Sequence, residues 1–160
     1  MLDTFQGLPV HELIVHATVV LVPVTALAVA LAAVHPRFRA WAGPVPPILG
    51  VVSVILVQLT TMSGQKFYDR WAKLGPVSDA IKHHKHLGQM LIWFVIPLAI
   101  IAIAAYLLER RPGTTRTVMT AVAVLAVVSA GAVLVDVALI GHAGASASWK
   151  DFVNSTNPKK

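Results

Sequence analysis

The chain has 160 residues, of which 56% are hydrophobic and only 12% charged, where a soluble domain would carry about a quarter charged. Its formal net charge of +6 suits a border of anionic lipid, and the basic residues are dispersed over several short connections, which argues against nucleic acid as a partner. With no cysteine, disulfides, iron–sulfur clusters, thiolate zinc sites and cysteine nucleophiles are excluded.

In chain order, the first long apolar stretch is about His11 to Val34, with Pro23 expected to kink it. No Lys or Arg precedes Arg37, so the charged region of a secretory leader is missing and this stretch is expected to remain as a first span. "HPRFRAWAGP" makes a short basic turn. A second span is expected at about 45–62, after which a longer connection runs to His86. Within it Phe67, Trp71 and Leu74 recur at helical spacing among Lys66, Asp69, Arg70 and Lys73, the pattern of a short amphipathic helix lying in the interface. The third span is about 87–108, "ERRPGTTR" is the next turn, and the fourth span is about 117–140.

Backbone polar groups in lipid need internal partners, so only helices or closed barrels can span. These stretches are too long and too evenly apolar for alternating barrel strands. The expected fold is therefore all-α: an integral-membrane, up-down four-helix bundle over residues 1–144, with a short polar or interfacial tail at 145–160. No internal sequence repeat is evident. Ala121, Ala123, Ala126, Ser129, Ala130, Gly131 and Ala132 offer a small-residue surface for close packing of the last span. Arg37, Arg39, Arg110, Arg111 and Arg116 crowd the two short turns, which points to both termini outside, although the long connection and tail also carry basic residues.

The polar residues inside this frame are unevenly placed. Six of the seven histidines fall at or near one membrane face, and only His35 lies at the other. His11 opens the first span and His16 follows roughly 7 Å deeper at helical rise. His83, His84 and His86 precede the third span, and His142 follows the fourth. Gln58, Gln89 and Asp136 fall at a depth comparable with His16. Hence His16, Gln58, Gln89 and Asp136 are expected to form a buried polar ring beneath an outer ring of His11, His86 and His142. An ionisable group inside a membrane costs a few kcal/mol unless paired, so such a ring is a functional-site hypothesis. Each member also has a plainer reading. His83, His84 and His35 suit interfacial caps, and Asp136 could merely balance a buried imidazolium on His16.

Imidazole is the strongest ligand available to a chain without thiolates, and it suits haem iron, copper and zinc. A b-type haem could be held between His16 and His86 as axial ligands, or between His11 and His142, with Asp136 orienting His16. A copper or zinc ion on His11, His16, His86 and His142, aided by Glu12 or Asp136, is the alternative. "HELIVH" places its histidines five apart, so it is not the His-Glu-x-x-His of zinc peptidases.

The opening "GLPVHELIVH" and the closing "GHAGASASW" resemble a family of small bacterial membrane proteins, domain-of-unknown-function family 2231. Leu8, Pro9, His11, Val15 and His16 fit its Leu-Pro-x-His-Pro-x-x-Val-His-Phe-Pro opening, and Gly141 and Gly144 fit its glycine-rich close. Glu12 stands where the family has proline, and Ala17-Thr18 where it has Phe-Pro. The resemblance implies a four-helix protein of the bacterial inner membrane. Some relatives are joined to Rieske-type domains, which implies redox work, but the resemblance supplies no activity. The expected function is thus a haem-b-binding redox or electron-transfer protein or subunit. It would work with a redox partner or a larger membrane complex. A transition-metal or proton-handling protein, or a non-catalytic subunit, are the other readings, and whether the chain is an enzyme is left open.

Overall fold

A computed structural model describes residues 4–156 of the chain. A short antiparallel ribbon, β1 (Thr4–Phe5) with β2 (Leu8–Pro9), leads into α1 (Val10–Val34). Then come α2 (Pro36–Ala42), α3 (Val45–Leu74), α4 (Asp79–Arg110) and α5 (Arg116–Thr156). The four long helices are each long and apolar enough to cross a membrane, and they form the expected up-down bundle. Around its circumference the order is α1, α3, α4, α5, so α1 lies diagonally opposite α4.

Each helix turns one stripe inward, spaced alternately three and four residues apart. In α4 that stripe is Leu91, Val95, Leu98 and Ala102; in α1 it is Val22, Ala26 and Val29. Of the small residues in α5, Ala126 and Ala130 are buried in the core, whereas Ala121 and Gly131 face outward. α3 and α4 approach closely at Gly50, where a Cβ would stand 3.0 Å from the Cα of Ala99. Thr25 and Ser53, both fully buried, join α1 to α3 by a 2.9 Å hydroxyl–hydroxyl bond. The outward surface is apolar on every helix, with Val20, Ile55, Ile100 and Val128 all exposed. Such surface suits contact with lipid.

The structure adds local detail to these expectations. α1 continues through Pro23 as one helix. The basic turn after it is helical, with His35 Nδ1 accepting the Phe38 N–H at 3.1 Å and so capping α2. No separate interfacial helix occurs between the second and third spans: α3 runs on to Leu74 and α4 begins at Asp79, capped by Ser78. Only residues 75–78 connect them. With 32 residues at about 1.5 Å each, α4 extends well past a hydrocarbon layer of about 30 Å. Likewise α5 continues through the expected tail to Thr156. The last part of that tail, 157–160, lies outside the described residues.

The two ends of the bundle differ. At one, Arg39 donates to Glu109 at 2.7 Å and to the carbonyls of Ala32 and Ala33, tying α2 to the ends of α1 and α4. At the other, where the described chain starts and stops, the helices enclose a cavity.

Candidate functional site

His11 sits in the first turn of α1 and leans against α3. Its Nδ1 lies 3.2 Å from the carbonyl oxygen of Thr60 and 3.4 Å from Ser63 Oγ. The Ser63 hydroxyl donates to the same carbonyl at 2.9 Å. A helical carbonyl already serves the N–H four residues on, and its second lone pair is reachable from the side only if that later residue leaves room. Here the later residue is Gly64. A Cβ there would stand 2.9 Å from Cε1 of His11.

The same device recurs on the diagonal helix. His84, in the second turn of α4, leans against α5 with Nδ1 3.1 Å from the carbonyl oxygen of Ile140. Four residues beyond that carbonyl is Gly144, where a Cβ would stand 3.1 Å from Cε1 of His84. The bundle therefore contains a repeat that sequence comparison of its halves does not reveal. In each hairpin the first helix supplies a histidine, and the second supplies a carbonyl followed four residues later by glycine.

The chemistry of this pairing is specific. A backbone carbonyl can only accept, so in both rings Nδ1 carries the proton and, in the neutral ring, Nε2 carries the lone pair. That is how a metal-ligating imidazole is oriented, with the second nitrogen held by a carbonyl. His11 and His84 line one cavity of about 600 Å³. Its deep end is walled by Val15, Val19, Val57, Leu91, Val137 and Ile140. Its outer end is walled by Phe67, Tyr68, Trp71, Ile81, Lys85 and Ser148. Between α1 and α3 the Thr18 and Thr60 hydroxyls meet at 2.7 Å, fixing the helix that carries the first accepting carbonyl.

The other expected site residues lie elsewhere. The ring of His16 bonds back to the carbonyl of Glu12 on its own helix and is exposed. His86 and His142 are exposed and do not line the cavity, nor does exposed Gln58. Gln89 does line it. Asp136 is buried on α5, but its Oδ2 has no hydrogen-bond partner among the described residues, and it makes no bond to His16. The structure thus brings His11 together with His84, rather than with His16, His86 or His142. Among the described residues no group of three or more His, Cys, Asp or Glu is arranged to hold a metal ion.

His84 suits an interfacial cap by its place in the chain, yet it faces the cavity. Its signal was the phase of the helix: His84, Gly88, Leu91, Val95, Leu98 and Ala102 step by four and three along the stripe that faces inward. His86 instead falls in line with Met90, Trp93 and Ile100, which face outward. In α1, His11 heads the stripe Val15, Thr18, Val22, while His16 lines up with exposed Val20 and Leu27.

A family model described as a predicted membrane protein, DUF2231, matches residues 7–157. No curated protein and no solved structure gives a significant match.

Proposed function

Because the chain belongs to the DUF2231 family of predicted membrane proteins, we propose that it is a haem-b-binding electron-transfer protein of the bacterial inner membrane, with His11 and His84 as its two imidazole ligands. The observation that carries this reading is the paired device: two histidines from diagonal helices, each with Nδ1 tied to a neighbouring carbonyl, lining one cavity. Both rings are thereby held with Nε2 free to ligate.

The residues fit the group. Haem brings the equatorial ligands of its own iron and asks the protein for only one or two axial ones. A bare zinc or copper ion wants three or four protein ligands, and two imidazoles do not meet that. A cavity of about 600 Å³ with apolar deep walls lies within the roughly 300–1,000 Å³ of ligand and cofactor sites. When bound, the haem would supply one-electron chemistry. The protein's part is to fix both imidazoles, to keep water from the deep end with the Val and Leu walls, and to insulate the site from lipid.

Partner and orientation follow from the same arrangement. The cavity lies toward the bundle end at which the described chain starts and stops, so a redox partner would approach there. The arginines Arg37, Arg39, Arg110, Arg111 and Arg116 sit at the opposite end, which favours that end as cytoplasmic.

The test is the absorbance spectrum of the detergent-purified protein, oxidised and then reduced with dithionite. A Soret band with sharp reduced α and β bands is expected. His11→Ala and His84→Ala should each lose them, while His16→Ala and His35→Ala should not. A flat visible spectrum after haem supplementation, at full protein recovery, would sink the reading.

A further inference from the structure

The two hairpins repeat one another at the site, yet they differ at the residue that follows each histidine. After His11 comes Glu12; after His84 comes Lys85. Both line the cavity, and they stand on diagonal helices. The repeat thus carries an acid on one side and a base at the matching place on the other.

Lys85 is placed to receive an anion. A long helical side chain slopes toward the N-terminus of its helix, which for α4 is the outer end of the cavity. There its Nζ lies 3.9 Å from the centroid of the Tyr68 ring, one helical turn outward from Gly64. Among the described residues Lys85 makes no hydrogen bond or ion pair; the ring of Tyr68 is its partner. A half-buried ammonium resting on an aromatic face keeps its donors for a stronger acceptor. Ser148 adds a hydroxyl to the same outer wall, while the deep wall offers Val57, Leu91 and Val137. Going inward, the lining therefore changes from cationic and aromatic, through the imidazoles, to aliphatic.

We infer that the cavity takes an amphipathic carboxylate and that Lys85 fixes which way it lies. The anionic edge sits beside Lys85 at the outer end, and the apolar body lies between the helices. Glu12 at the matching place on α1 repels that edge from the α1 side of the outer end, so the edge lies on the α4 side. This rests on the haem reading for the body of the ligand, whose carboxylate edge would then face the aqueous side on which electrons are exchanged.

The experiment compares porphyrins with and without the charge of the carboxylate edge, and with and without iron. Full-length apoprotein in detergent is titrated with iron protoporphyrin IX and with its dimethyl ester, followed by the Soret band. Metal-free protoporphyrin IX is titrated alongside, followed by fluorescence. Wild type should hold the diacid about tenfold more tightly than the ester, the scale of a charge-assisted hydrogen bond. Lys85→Gln should erase that difference while leaving the reduced α and β bands in place, Lys85→Arg should restore it, and Glu12→Gln should not weaken the diacid. Equal binding of diacid and ester by wild type overturns the inference, as does a preference that survives in Lys85→Gln; the wild-type comparison stands even if a variant fails to fold. A Lys85-dependent preference for the metal-free diacid, with no α and β bands from the iron form, would keep the anion site and remove the haem reading. No binding of any porphyrin would overturn both.

Discussion

At Gly64 and Gly144 a methyl group would stand 2.9 and 3.1 Å from an imidazole carbon. What must give way there is the end of a side chain, not a helix. Gly64→Ala and Gly144→Ala are therefore expected to leave the bundle folded, losing only about 1 kcal/mol for the weakened histidine–carbonyl bond, while haem retention falls sharply. Gly131→Ala, whose Cβ would meet nothing within 4 Å, should change neither. Thermal melts and the haem-to-protein ratio of the same samples separate the two effects. Asp136 gives the opposite expectation. Its Oδ2 is buried without a partner among the described residues, and neither cavity histidine bonds to it. Replacing an uncompensated buried polar group with an apolar one of similar size is often neutral or stabilising. Asp136→Leu should thus match or exceed the wild-type melting temperature and keep its haem; a loss of haem would show that the carboxyl serves the site.

The helices carry their function in their phase. His11 and His84 belong to inward stripes, His16 and His86 to outward ones; two residues from His84 to His86 turn about 200°, and five from His11 to His16 leave a net turn of about 140°. Chain order alone assigns each of them a level along its helix but not its neighbours, because level follows from counting residues and facing follows from packing. At this scale the sharpest demand is at Gly50, where an added Cβ would meet backbone, 3.0 Å from Ala99 Cα. Gly50→Ala has to push α3 off α4, which should cost about 1–3 kcal/mol. A melting temperature unchanged by that substitution would show that the two helices have slack. The contrast with Gly64→Ala is informative: the same added atom should destabilise the protein at one position and empty the site at the other.

For the whole molecule, the described chain ends and the cavity share one end of the bundle, while Arg39 and Glu109 close the other. The absence of cysteine makes orientation directly measurable. A single cysteine at Lys73→Cys, in an exposed outer turn of α3, should react with a membrane-impermeant maleimide on intact spheroplasts. One at Pro112→Cys, in the exposed turn between α4 and α5, should react only after permeabilisation. The reverse pattern would place the cavity on the cytoplasmic side. The sequence by itself determined four apolar helices, their order up and down, and the gathering of histidines at one end, since hydropathy and length suffice for a chain that must satisfy its backbone in lipid. It did not determine that the amphipathic helix after the second span would continue that span, because amphipathic turns read alike whether they lie along the interface or extend a spanning helix. Nor did it determine which imidazoles meet. Only the tertiary structure decided that, by bringing Gly64 and Gly144 against His11 and His84: a glycine becomes a socket when a particular helix packs beside it, and nothing local to either residue records the neighbour.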